Sequence, residues 1–264
     1  MCLRNILSSI LVIFFTTQLE VNANCLIVLE DNKVIFKEGN CSKRYAPCST
    51  FKFPLALMGF NENILKDEHS PKIQFRKGFE DWRPEWKKTH DPSLWIKNSC
   101  LWYSQQITKQ LGIKNIQKYL KIFDYGNKDF SGDEPLMKAW LSSSLQISPK
   151  EQMKFLQSYL AHEFDLSQKS YDFTKKILYK ETLSSRWKLY GKTGTGHAQN
   201  FDKSKNPKKQ IGWFVGWIEK DKRKILMVNL IEKDFNGTYD AGPESLAELK
   251  KFMLSPKHHL EPNQ

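Results

Sequence analysis

Two short runs rich in β-branched and other apolar residues, Cys25–Glu30 and Lys33–Lys37, flank the polar pair Asp31-Asn32. Two such runs separated by a short polar turn predict a β-hairpin. From about residue 100 to residue 180 the pattern is mostly helical. Its clearest start is Ser148-Pro149-Lys150-Glu151, where serine and glutamate form a capping box around a proline at the first helical position. A helix is also expected from near Ser49, with Pro54 tolerated in its first turn. Strand character returns at Arg186–Gly191, Ile211–Glu219 and Lys224–Glu232, the last two joined by a charged turn around Asp221, and a final helix is expected from Pro243. This order predicts an α/β fold: an antiparallel sheet flanked by helices, with an all-helical lobe inserted.

The first 23 residues follow another pattern. Arg4 precedes an apolar stretch from Ile6 to about Phe15, and Val21-Asn22-Ala23 sets small residues at the two positions a signal peptidase reads. Residues 1–23 are therefore expected to be a cleaved export signal and residues 24–264 the mature domain. The apolar stretch falls short of the ~20 residues that span a bilayer, so no stable membrane anchor is expected. The remaining 241 residues (264 less 23) suffice for one large domain, and no Pro/Gly/Ser linker divides them. Cys25, Cys41, Cys48 and Cys100 remain after cleavage. Export permits a disulfide, but the spacing does not choose among the three full pairings of four cysteines; a Cys25–Cys41 bridge is a guess, and Cys48 and Cys100 are expected to pack as small apolar groups. The six histidines lack metal-ligand spacing and there is no CxxC or HExxH, so no metal is expected.

The net charge of +12 raises the question of nucleic acid, with lysine clusters at Lys203–Lys209 and Lys220–Lys224. Aromatic residues are not interleaved with these lysines and no recognition motif accompanies them, so a solvated basic surface is expected and no nucleic-acid partner.

Three short segments carry the candidate chemistry: Ser49-Thr50-Phe51-Lys52, Tyr125-Gly126-Asn127 and Lys192-Thr193-Gly194, in that order. A serine three residues before a lysine shares a helix face with it, where the amine can take the hydroxyl proton. Alone this means little, because Ser185-Arg186-Trp187-Lys188 is a second match. The ordered set is far rarer, and it is the arrangement of penicillin-recognising serine acyl-transfer enzymes.

The run from Pro47 to Pro54 resembles the active-site motif of the class D (oxacillin-hydrolysing) serine β-lactamases. Ser99-Cys100-Leu101 resembles that family's S-x-V, Tyr125-Gly126-Asn127 its YGN, and the segments Trp140–Leu145, Lys192–Gly194 and Gly212–Trp217 follow in the same order. The resemblance implies a periplasmic enzyme that confers resistance by hydrolysing the β-lactam amide of penicillins through an acyl-serine intermediate, with Ser49 as nucleophile. It further implies that Lys52 is N-carboxylated by carbon dioxide and acts as general base for both steps, with no other cofactor, and that the Trp140 indole N–H holds the carbamate. Ser99 would pass a proton to the departing ring nitrogen. Lys192, Thr193 and Gly194 would hold the substrate, the Thr195 N–H would pair with that of Ser49 as an oxyanion hole, and Tyr125-Gly126-Asn127 would form a structural cleft wall. Leu101 replaces the usual valine and adds bulk beside the acyl group. Many relatives also hold the substrate carboxylate with an arginine on a later strand, but none lies between Lys224 and Gln264, and Arg223 is expected in a turn.

Neither a class A-type E-x-x-x-N between Asn127 and Lys192 nor an S-D-N is present, and Ser204-Lys205-Asn206 comes too late in the chain. A penicillin-sensing domain of the same fold, a D,D-peptidase and a basic envelope-binding protein remain the alternatives, and nothing in the sequence reads out an oligomeric state.

Overall fold

The computed structural model describes residues 23–183, 186–198 and 209–254. All of the expected export signal but Ala23, Ser185 of the second S-x-x-K, Ser204-Lys205-Asn206 and most of the Lys203–Lys209 run lie outside the described residues.

The expected hairpin is present as β1 (Ala23–Glu30) and β2 (Lys33–Gly39). Asp31 and Asn32 take positive φ at its tip (50° and 61°), which short polar side chains tolerate better than most. A 3₁₀ turn (Cys48–Phe51) then leads into α1 (Lys52–Asn61). The helical block follows as α2 (Pro92–Asn98), α3 (Leu101–Ile122, kinked at Gly112), α4 (Pro135–Ser142), α5 (Pro149–Leu160) and α6 (Gln168–Leu178). Both halves of the Ser148–Glu151 capping box form at the start of α5. The chain returns to the sheet through β3 (Tyr179–Thr182), β4 (Lys188–His197), β5 (Lys209–Lys220) and β6 (Arg223–Asp234), and closes with α7 (Ala241–Leu254). The last helix starts two residues before Pro243, and β3 was not anticipated.

The six strands form one sheet in the order β2-β1-β6-β5-β4-β3, with antiparallel neighbours throughout. Its two faces separate by parity. Leu26 and Val28 of β1 and Phe214 and Ile218 of β5 pack with Leu249, Phe252 and Met253 of α7. Ile27 and Leu29, with Trp213, Val215 and Trp217, join the larger core that contains α1 and the helical block. Nine of the ten residues of α1 are buried, which makes it the central helix between sheet and lobe. Its Phe and Leu side chains each contribute about 1.5–3 kcal/mol by burial, so the first turn, and Lys52 in it, is held by packing on every side. Cys25 and Cys41 are disulfide-bonded, as suggested, and Cys48 and Cys100 are buried free thiols.

Only the first residues of β4 pair with β3, through Lys188, Leu189 and Tyr190. From Gly191 onward no described strand pairs with the outer side of β4, and the 3₁₀ turn packs there. Although β4 is an interior strand by order, its second half behaves as an edge.

Candidate active site

Ser49 lies inside the 3₁₀ turn, one turn before α1. The residue before it, Cys48, is left-handed (φ 51°), an uncommon conformation for a side chain of this kind. Its buried thiol donates to Ala46 O and to Leu141 O, at 3.4 and 3.6 Å. Gly196 makes room for that sulfur, because a Cβ there would stand 2.4 Å from Cys48 Sγ. Gly194 does the same for the turn's backbone, since a Cβ would meet Ser49 N at 3.2 Å and Thr50 N at 3.1 Å. The glycines of the Lys192–Gly196 segment are thus what let β4 run against the nucleophile turn.

Lys52 Nζ donates to Ser49 Oγ at 3.1 Å. The lysine is 1 % exposed, and burial pulls its amine from 10.5 to about 8, with the nearby Arg83 charge acting in the same direction and the Cys100 and Cys48 thiols against it. Those thiols are themselves pushed up to about 12 by burial, so neither competes as a nucleophile.

Trp140, on α4, stacks on Phe51 (ring centroids 5.5 Å apart) and on Phe130 (6.1 Å). It is fully buried, yet its Nε1 has no hydrogen-bond partner. An indole N–H left in an apolar pocket costs about 1–3 kcal/mol. This orphan donor, stacked on Phe51, the residue before Lys52, fits an anionic carboxyl group carried on that lysine.

Ser99 is the left-handed residue that ends α2 (φ 53°), and this geometry brings it to the cleft. Lys192 Nζ donates to Ser99 Oγ at 3.1 Å and to Thr193 O at 2.9 Å. Lys192 is 2 % exposed, and burial, followed by the charges of Lys52, Lys180 and Arg83, holds its amine well below the usual lysine range. The Thr195 hydroxyl accepts from Gly242 N at 2.9 Å and so ties β4 to the start of α7.

Ser49, Ser99, Leu101, Lys192, Thr193, Gly194 and Thr195 all line one cleft of about 480 Å³ between sheet and helical lobe. Lys52 and Trp140 are not on its surface; they lie behind it, in the core. Tyr125-Gly126-Asn127 is structural, but it is not a wall of this cleft. Asn127 clamps the loop after α4, donating from Nδ2 to Ser144 O (2.7 Å) and accepting at Oδ1 from Gln146 N (3.0 Å). The buried Tyr125 OH donates to Gln152 Oε1 at 3.4 Å, and Gln152 Nε2 donates to Thr50 Oγ1 at 3.0 Å, which links α5 to the nucleophile turn. Arg223 is not a turn residue: it opens β6, donates from Nε to Glu30 Oε1 at 2.8 Å, and does not line the cleft.

Sequence reasoning missed the cleft-lining residues Trp82, Arg83, Trp86, Lys97, Lys180 and Tyr239. The aromatic-rich run Trp82-Arg83-Pro84-Glu85-Trp86 was the available signal, but loops have no periodicity to reveal which side chains converge. Among the described residues no group of His, Cys, Asp and Glu side chains is arranged to hold a metal ion, and no helix is long and apolar enough to cross a membrane.

Residues 22–253 match the penicillin-binding protein transpeptidase domain family. The chain is 35 % identical over 240 residues to β-lactamase OXA-9 of Klebsiella pneumoniae, covering 87 % of this chain and 88 % of that one. The chain belongs to the class D β-lactamases. OXA-1 of Escherichia coli is 39 % identical over 202 residues, 74 % of this chain and 70 % of that relative. The crystal structure of the class D β-lactamase OXA-427 superposes with a TM-score of 0.81 at 38 % identity, covering 87 % of this chain and 96 % of its own. The fold and the enzyme class that the sequence resemblance implied are both borne out. As a class D β-lactamase, the chain is a serine hydrolase with its cleft where sheet and helical lobe meet.

Proposed function

We propose that the protein is a periplasmic enzyme that hydrolyses penicillins through an acyl ester on Ser49. The observation that carries this reading is the 3.1 Å contact between Ser49 Oγ and the buried Lys52 amine. In acylation the Lys52 side chain takes the Ser49 proton while Oγ adds to the lactam carbonyl carbon. The charge gathering on the carbonyl oxygen meets the backbone N–H groups of Ser49 and Thr195. The C–N bond then breaks and the ring nitrogen is protonated through Ser99, whose hydroxyl receives a hydrogen bond from Lys192. In deacylation a water adds to the ester carbonyl and gives its proton to the Lys52 side chain, the bond from the carbonyl carbon to Ser49 Oγ breaks, and Lys52 returns the proton to that oxygen as the opened acid leaves. When carboxylated by carbon dioxide, Lys52 supplies a general base suited to both steps, with Trp140 as the donor that holds it. Leu101 contributes apolar surface beside the acyl group.

A steady-state assay of the mature protein with a chromogenic β-lactam tests the proposal: many turnovers are expected, and a single stoichiometric burst would instead indicate a sensor that acylates without hydrolysing. Intact mass after brief exposure to a slow β-lactam should show one adduct on the wild type and none on Ser49→Ala. An equal adduct on that variant removes Ser49 from its role.

A further inference from the structure

The cleft around Ser49 carries four cationic side chains, Arg83, Lys97, Lys180 and Lys192, and they are not equivalent. Lys192 is almost fully buried, already donates to Ser99 and Thr193, and has its ammonium form disfavoured by burial. Lys97 stands exposed in the last turn of α2, where water screens it. Lys180 is on β3, where burial lowers its amine, and the neighbouring Glu181, which would oppose that shift, is itself paired with Lys250, whose charge lowers the amine further. A guanidinium, by contrast, stays protonated throughout the working pH range.

Arg83 is also seated. Its guanidinium carbon lies 5.8 Å from the ring centre of Trp82 and 5.9 Å from that of Trp86. Trp86 is in turn fixed by its indole N–H on Asn98 O at 2.9 Å and by its own carbonyl, which accepts from Trp102 Nε1 at 3.0 Å. Among the described residues no carboxylate forms an ion pair with Arg83, although Glu85 lines the same cleft. The sheet offers no substitute: the β5 residues opposite Lys192, Thr193, Gly194 and Thr195 are Val215, Phe214, Trp213 and Gly212.

Resting on the reading of Ser49 as the acylated residue, we infer that Arg83, delivered by the loop ahead of α2 and not by the sheet, anchors the carboxylate of the β-lactam substrate. The bulk of that binding then comes from the helical-lobe wall, and the aromatic rings of Trp82 and Trp86 hold the fork in place.

The test crosses the residue with the charge it is meant to bind. kcat/KM is measured on a β-lactam acid and on its methyl ester, for the wild type, Arg83→Gln, Arg83→Lys, Lys97→Gln and Lys180→Gln. Charge-assisted contacts correspond to about a ten- to hundredfold preference for the acid in the wild type. Arg83→Gln is expected to erase most of that preference, chiefly through KM, Arg83→Lys to retain part of it, and both lysine variants to keep it. Equal losses on acid and ester, or a preference abolished by Lys97→Gln or Lys180→Gln and kept by Arg83→Gln, overturns the assignment while leaving acylation at Ser49 intact. Mass spectrometry of the same reactions separates the two levels: a wild type that forms no Ser49 adduct with the acid overturns the acylation reading and the anchor together. Arg83→Lys keeps the charge and the stem over the tryptophans, so it gives a readout even if the glutamine variant folds poorly.

Discussion

At the scale of single residues, the protein buries both a low-pKa amine, Lys52, and an unpartnered indole N–H, that of Trp140. If Trp140 holds a carboxyl group on Lys52, its loss removes one hydrogen bond to a charge, about 1.5–3 kcal/mol or roughly ten- to a hundredfold in the equilibrium. Trp140→Phe is then expected to lose most of its deacylation rate in carbon-dioxide-depleted buffer and to regain it with bicarbonate. Carbon NMR with labelled bicarbonate should show the adduct in the wild type and a weak or missing signal in the variant. Full activity and full labelling without added bicarbonate would break the link. The pH dependence has a definite sign. The folded pKa of Lys52 is depressed to about 8, so the neutral amine predominates above that pH and becomes scarce below it. Relabelling of depleted wild-type enzyme should therefore slow as pH falls through about 8, and a rate flat across that range would argue against the amine as the reacting group. The Ser49–Lys52 pairing was legible from a three-residue spacing because a helix turn converts that spacing into contact. Arg83 was not, because only the tertiary fold brings its loop to the cleft.

At the scale of elements, the cleft depends on glycines that let backbone segments touch. Gly126 is left-handed (φ 57°), and a Cβ there would stand 2.1 Å from Gln146 O, within the loop that Asn127 clamps. Left-handed backbone alone costs a non-glycine residue about 1–2 kcal/mol, and the clash adds to it. Gly126→Ala should therefore destabilise the protein by on the order of 2–4 kcal/mol in denaturant unfolding, a size that marks backbone strain. A loss below about 0.5 kcal/mol, the range of an ordinary surface change, would mean that the loop relaxes around the methyl group. The sequence identified the Tyr125-Gly126-Asn127 motif and its structural character, but its neighbour across the loop is set by tertiary packing. The same holds for Gln152, a helix residue whose amide bridges to the nucleophile turn. Elements with strong local signals, the hairpin and the capped start of α5, were read correctly. The four-residue β3 was not, since so short a strand is defined by its pairing with β4 more than by its own pattern.

At the scale of the whole molecule, the sheet's two faces are closed by different partners, α7 on one side and the α1-centred core on the other, and the continuous apolar runs of β1 and β5 are what a sheet covered on both faces requires. The Cys25–Cys41 disulfide joins the first strand to the segment leading toward the nucleophile, with a sequence separation of 16. A loop of that size is worth about 3 kcal/mol in the chain-entropy account. Cys25→Ser, or reductant, is expected to lower the melting temperature by several degrees while leaving β-lactam turnover at low temperature nearly intact, because the bridge does not line the cleft. An unmoved melting temperature would show that native packing already supplies that restraint. Cytosolic thiols remain largely reduced, so this covalent restraint would be gained only in an oxidising compartment. A bacterium defective in thiol oxidation would carry the same active site in a less durable shell, so its tolerance of penicillins should fall with its capacity to form disulfides, most visibly in warm cultures.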